Sequence, residues 1–175
     1  FSHEHPDHFN LTVLNSIPKE IREKITVLFQ DTLDHRVAKK CHQLGFSVIE
    51  MKHNKFYILD DDFQIKCRPY LLYDSLLYLE IGNKKILNLN DCGVDSIRQA
   101  EYIQKITGNV DLLLTQFGYA AHIGDPGDVQ LRKETSKEKL MRIKIQSQVF
   151  NAKYVIPFAS FVWFSHEDNF YMNDE

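Results

Sequence analysis

The chain predicts an α/β fold. Strand and helix patterns alternate loosely along its length, and the middle is rich in hairpin signals. Side chains of the metal-ligating kind fall at strand ends, where open α/β folds place their sites. At 175 residues and 43% hydrophobic content, the expectation is a single domain over 1–175 with a full core.

Each element has its own justification. The chain opens on a turn, Phe1-Ser2-His3-Glu4-His5-Pro6-Asp7-His8. Ser16-Ile17-Pro18 reads as a helix start, with Ser16 as cap and proline tolerated in the first turn. That helix is short, because Ile25-Thr26-Val27-Leu28-Phe29 has the look of a buried strand. A second helix runs over 34–44 and is stopped by Gly45, after which 46–51 resumes as strand. The acidic turn Asp60-Asp61-Asp62 joins strands over 55–60 and 63–68, and Gly82-Asn83 joins strands over 75–81 and 85–90. An amphipathic helix over 94–106 precedes a buried strand over 110–114. The stretch 116–129 carries three glycines and a proline and should be a loop over the site edge. A charged amphipathic helix over 131–150, a strand over 153–157 and a polar, acidic tail over 169–175 complete the layout.

Composition excludes several classes of function. A formal charge of -3 without any basic run gives no basis for a nucleic-acid partner. No stretch of 18 apolar residues is present to span a membrane. Cys41, Cys67 and Cys92 are odd in number and widely spaced, which is no disulfide framework and points to a reducing, cytoplasmic compartment. The chain opens without methionine, directly on its most informative motif, so an N-terminally incomplete fragment is expected.

That motif places three imidazoles and a carboxylate at H-x-H-x-D-H spacing. On a helix, ligands sharing a face fall at i and i+4. His3 and His5 are two apart, so an extended stretch points them the same way, while Asp7 and His8 diverge, as toward a second ion. Imidazole with carboxylate is a donor set for zinc, iron or manganese rather than calcium. The interposed Pro6 and Asp7 speak against an affinity tag.

The histidine turn resembles the signature of the metallo-β-lactamase superfamily, whose members adopt an αββα sandwich with the site along the edge between two sheets. Ile86-Leu87-Asn88-Leu89-Asn90-Asp91-Cys92 resembles the family's aspartate after a mid-chain strand, and Phe164-Ser165-His166 its late histidine. The resemblance covers nearly the whole chain, with the family's opening strands missing. Within the superfamily the chain looks most like the metallo-β-lactamase-like region of CMP-N-acetylneuraminate hydroxylase. Phe1-Ser2-His3 onward, Lys85-Ile86-Leu87-Asn88 into Asp91-Cys92, Leu112 to Gly118, and Pro157-Phe158-Ala159 through Ser165-His166 carry that likeness.

The resemblance implies one or two divalent ions, zinc foremost, with iron or manganese as alternatives. His3 and His5 would serve one ion, Asp7, His8 and His166 a second, and Asp91 would bridge them. Asp7 and Asp91 would be the catalytic carboxylates, and a metal-held hydroxide the nucleophile at neutral pH. One departure stands out. The family supplies a further histidine just before a strand start that Asp74-Ser75 marks here, and Cys67-Arg68-Pro69-Tyr70 stands in its place. Arg68 cannot ligate because its guanidinium stays protonated, so two unequal sites are expected, with Cys67 a weak substitute. Arg68 suits instead an anionic group of a small-molecule substrate, and His122 in the glycine-rich loop is a further substrate contact.

Plainer readings stand beside these. Asp91 would otherwise cap the following helix, and His166 would be a loop histidine. His35, His42 and His53 are expected as surface or structural residues, Cys92 as a small buried one, and Tyr119 and Trp163 as pocket or core aromatics. The leading function is a metal-dependent hydrolase acting on an ester, amide, lactone or phosphodiester. The alternatives are a non-hydrolytic part of a sugar hydroxylase system, and a metal-poor binding module for an anionic sugar or nucleotide anchored on Arg68.

Overall fold

The computed structural model describes residues 1–71, 73–119, 121–158 and 162–174. Ala120 of the glycine-rich loop, residues 159–161 of the segment carrying part of the resemblance, and Glu175 of the tail lie outside them. The chain divides into two compact units, Phe1–Asn83 and Lys84–Glu175.

In the first unit, α1 (Leu11–Ser16) follows the histidine turn, then α2 (Lys19–Arg22), β1 (Thr26–Gln30), α3 (Arg36–Gln43) and β2 (Ser47–Met51). The short helix expected after Ser16-Ile17-Pro18 is α2, which begins at Lys19 directly after Pro18, and α1 is a further helix ahead of it. Asn10 caps α1, its side chain accepting from the Val13 amide at 3.1 Å, and the Ser16 hydroxyl donates back to the Val13 carbonyl at 2.8 Å. Asn10 is as good a cap as serine, and Pro18 restarts the chain as the residue before α2. β1 and β2 pair in parallel with Val27 opposite Val48, and α3 makes the crossover. Gly45 stops α3 at φ +91°, a left-handed conformation that places the Phe46 amide 3.1 Å from the Cys41 carbonyl and its own amide 3.0 Å from that of His42. Leu14, Val27, Phe29, Val37, Cys41 and Phe46 pack as one apolar cluster between these elements.

The same unit holds an antiparallel sheet of β3 (Phe56–Asp60), β4 (Phe63–Tyr70) and β5 (Asp74–Ile81). The Asp60-Asp61-Asp62 turn joins β3 to β4 as expected. The Arg68 and Leu76 positions face each other across β4 and β5.

The second unit is a parallel sheet of β6 (Lys84–Asn88), β7 (Leu112–Gln116) and β8 (Tyr154–Phe158), with α4 (Ile97–Thr107) and α5 (Val129–Val149) as the crossovers. Ser96 caps α4 in a reciprocal box: its hydroxyl accepts from the Gln99 amide at 3.3 Å, and the Gln99 side chain accepts from the Ser96 amide at 3.0 Å. The cap role open to Asp91 is therefore filled by Ser96.

α5 corrects another expectation, because the face it buries is polar. Gln146, at 0% exposure, accepts from Thr115 Oγ1 at 2.6 Å and donates to the Val94 carbonyl at 2.9 Å. Arg142 pairs with Asp95 and donates to Gln116 Oε1. Arg132 donates to the Asp125 and Pro126 carbonyls and lies 4.7 Å above the Tyr171 ring. Periodicity of apolar residues cannot anticipate a face satisfied by hydrogen bonds. The tail is ordered too: Glu167–Asn173 forms a 3-10 helix that buries Met172. Among the described residues, no helix is long and apolar enough to cross a membrane.

Two substitutions in the second unit calibrate this picture. Ser96→Ala should cost about 1 kcal/mol in denaturant unfolding, the usual worth of a cap. Leu113→Ala, at a fully buried position, should cost about 3 kcal/mol. Equal costs would contradict the assignment of cap and core.

Candidate functional site

The histidine turn is compact rather than extended. The amides of His8 and Phe9 both donate to the His5 carbonyl, at 2.9 and 2.7 Å, which folds the chain back over itself. The Ser2 carbonyl anchors it from outside. Gln30 Nε2 at the end of β1 and Ser75 Oγ at the start of β5 both donate to that oxygen at 2.8 Å. Gln30 is itself 4% exposed and also donates to the Tyr73 carbonyl at 2.7 Å.

This anchoring brings three imidazoles together. His3 is 1% exposed, and its ring centroid lies 4.4 Å from that of His5 and 4.1 Å from that of His8. His3 Nε2 and His5 Nδ1 are 2.8 Å apart. Two imidazole nitrogens at that distance must share either a proton or a cation, since facing lone pairs repel. His3 Nδ1 is 3.0 Å from Ser2 Oγ and 3.6 Å from the Asp74 carboxylate, so that a proton on Nδ1 would turn the Nε2 lone pair toward His5. Ser2 Oγ is also 3.0 Å from His8 Nδ1, so one hydroxyl bridges two rings. His8 Nε2 lies 3.5 Å from the Asp7 carboxylate. The donor set and its convergence fit a divalent cation of the zinc, iron or manganese kind.

Sequence reasoning named His3, His5, Asp7 and His8, and the structure gathers them in one turn. It missed Gln30, 28 residues from the carbonyl it holds, because nothing local marks such a contact. Asp74-Ser75 was noticed as a strand start; its second role as orienter and anchor of the turn was not legible.

The remaining first-unit candidates fall elsewhere. Arg68 donates to Asn54 Oδ1 at 3.4 Å. Cys67 is 2% exposed, and burial pushes its thiol up, which disfavours the thiolate a metal needs. His35 Nδ1 meets Glu50 Oε1 at 2.7 Å, His53 Nε2 meets the Asp31 carbonyl at 3.0 Å, and His42 is exposed. The expectation of surface or structural histidines holds for all three.

In the second unit, the sequence-picked residues follow the carboxyl ends of the three parallel strands. Asp91 stands in the turn after β6, where the Cys92 amide donates to the Leu89 carbonyl at 2.9 Å and Asn90 adopts φ +48°. His122 lies in the loop after β7, exposed, 3.2 Å from the Tyr171 hydroxyl. His166 follows β8 and caps the 3-10 helix, its Nδ1 accepting from the Asp168 amide at 3.3 Å. Tyr119 and Trp163 line a cavity of about 330 Å³ in this unit. Trp163 is 67% exposed and packs edge-on against Phe170, so it is no core aromatic.

No family model matches the sequence, and no curated protein is similar to it. Solved structures are. CmlA, a diiron β-hydroxylase from Streptomyces venezuelae, superposes with a TM-score of 0.65 at 16% identity over 90% of this chain, and the E377D mutant of CmlA with 0.67 at 15% identity over 91%. The chain spans about a third of the length of CmlA, 34–35% of it. The short form of human tRNase Z gives 0.55 at 16% identity, covering 92% of this chain and 75% of that one. The metallo-β-lactamase fold protein YhfI from Bacillus subtilis gives 0.53 at 13% identity, covering 91% and 73%. The chain has the metallo-β-lactamase-like fold.

The cysteines supply a direct test of burial around the turn. Cys41, Cys67 and Cys92 are all free and buried, and burial pushes the first two thiols up. A colorimetric thiol reagent at pH 8 should therefore label fewer than one of the three quickly in the native protein and all three after denaturation. Fast native labelling of Cys67 would show that the region beside Ser75 is open.

Proposed function

We propose that this chain carries the metal centre of a metal-dependent enzyme, and that its activity is hydrolysis of an ester, amide, lactone or phosphodiester. The observation that supports it best is the pair of imidazole nitrogens, His3 Nε2 and His5 Nδ1, held 2.8 Å apart in a turn anchored by Gln30 and Ser75. A core position rarely needs three histidines fixed so closely, whereas a cation does. Within the first unit, His3 and His5 would hold one ion, and Asp7 and His8 are the neighbouring donors of the same turn. Bound there, a divalent cation supplies Lewis acidity that polarises a substrate oxygen and lowers the pKa of water to about 7.

The chain's own residues set up that chemistry. With the His3 proton on Nδ1, beside Ser2 and Asp74, Nε2 would be the ligand atom. Gln30 and Ser75 fix the backbone that spaces His3 from His5, so that little reorganisation is needed on binding. Asp7, whose carboxylate lies 3.5 Å from His8 Nε2, would be the group that accepts a proton beside a bound ion.

A second reading is an oxidative one, in which the same residues hold two irons within a hydroxylase. The likeness to CmlA favours it, as does a histidine and carboxylate donor set that suits iron as well as zinc. Fold alone does not choose between the two.

Elemental analysis of tag-free protein prepared without chelator separates the readings. One to two zinc or manganese ions per chain, with turnover of bis(p-nitrophenyl) phosphate or a p-nitrophenyl ester, supports the hydrolase; two irons without turnover support the oxidative reading. His5→Ala should remove at least one ion, and Asp74→Asn should weaken metal binding about 10- to 100-fold, as loss of a carboxylate behind a ligating histidine does. Absence of metal after reloading with zinc, iron and manganese would contradict both.

A further inference from the structure

A cavity of about 350 Å³ opens beside the histidine turn, entirely within the first unit, and His3 forms part of its wall. Its charges are unequal. Three carboxylates line it, Glu4, Asp31 and Asp34, against one guanidinium, Arg36. That guanidinium is already engaged twice, by Glu4 Oε1 at 2.9 Å and by Asp34. The Arg36 amide donates to Asp34 as well, at 3.1 Å, and this bond together with the side chain holds the Asp34 carboxyl below the usual carboxylate range.

Asp31 is different. Among the described residues its carboxylate makes no hydrogen bond and no ion pair. His35 and Glu50 approach within 4.8 Å of it but are paired with each other at 2.7 Å. Glu50 adds a second negative charge nearby. The Asp31 carbonyl is fixed by His53, so the backbone that carries the carboxylate is held. The rest of the wall mixes the neutral polar side chains of Gln30 and Thr32 and the imidazoles of His3 and His53 with an apolar part, in which Phe29 and Val37 are almost fully buried and Leu71 and Tyr73 are exposed.

We infer that this cavity is the substrate-recognition pocket of the metal site and that it selects a cationic substrate, an ammonium group on an aryl or alkyl arm, with Asp31 as the specificity-determining carboxylate. The inference rests on the metal-centre reading and names its substrate class. An ammonium is the group that neutralises an unpaired carboxylate inside a half-enclosed site, and an apolar arm is what Phe29, Val37 and Tyr73 would desolvate. An anion would meet the unpaired carboxylate of Asp31. Arg68, the expected anchor for an anionic substrate, is not part of this wall.

The test is calorimetric or NMR titration of the whole chain with 2-phenylethylamine, and with 2-phenylethanol and 3-phenylpropionate as neutral and anionic probes of similar shape. Each titration is run on protein as purified and after chelation, with metal content measured on the same samples. The amine should bind at least tenfold more tightly than either other probe, and Asp31→Asn should remove that preference while leaving 2-phenylethanol binding and the circular dichroism spectrum unchanged. Absence of amine binding up to millimolar concentration, equal or tighter binding of 3-phenylpropionate, or an undiminished amine preference in Asp31→Asn would each overturn the inference. Loss of amine binding on chelation alone would place the amine on the metal and overturn it too. A preference that persists in metal-free protein upholds the pocket even where the metal reading fails, so the two failures are told apart.

Discussion

The carbonyl oxygen of Ser2 is the point on which the histidine turn depends. Two side chains from different strands, Gln30 and Ser75, donate to it at 2.8 Å, and together they fix a segment with no regular secondary structure of its own. Gathering three imidazoles costs conformational entropy at each residue and removes polar rings from water. Hydrogen bonds to a buried carbonyl offset part of that cost, and losing one leaves the acceptor unsatisfied at about 1–3 kcal/mol. Asp74 and Ser2 approach His3 from behind, at Nδ1, while its Nε2 faces His5 Nδ1 at 2.8 Å. Pre-organisation of this kind is what separates a site from a coincidence of residue types.

The second unit is governed by a related constraint at larger scale. Its long helix α5 carries Arg132, Arg142 and Gln146 inward, and each is held by partners that belong to loops and strand ends. Arg132 fastens the 125–126 stretch of the glycine-rich loop and lies over Tyr171, whose hydroxyl reaches the Gly124 carbonyl at 2.7 Å. Gln146 ties Thr115 of β7 to the Val94 carbonyl ahead of α4. The segments after β6 and β7, from which Asp91 and His122 project, are thus positioned by a polar helix face rather than by apolar packing alone.

The sequence was most legible where local chemistry decides the outcome. Parallel strands with helical crossovers, the Gly45 stop at φ +91°, the acidic turn before Phe63 and the strands flanking Gly82 all follow from periodicity and turn residues. The histidine turn was legible because its four ligand-type residues are neighbours in the chain. One element was missed: Asn10 caps a further helix, α1, that ends at Ser16, ahead of the helix expected after Pro18. Distant satisfaction was not legible at all. Neither the inward polar face of α5 nor the bond from Gln30 to Ser2 leaves a pattern in the one-dimensional string, because each partner is fixed only by the fold.

Crystals grown with zinc or iron, measured on both sides of that metal's absorption edge, test most directly whether the turn is built for a cation. An anomalous peak about 2.0–2.1 Å from both His3 Nε2 and His5 Nδ1 is the expected result, with Gln30 and Ser75 still donating to the Ser2 carbonyl. Peaks only at other residues, with the two nitrogens still 2.8 Å apart and sharing a proton, would contradict it.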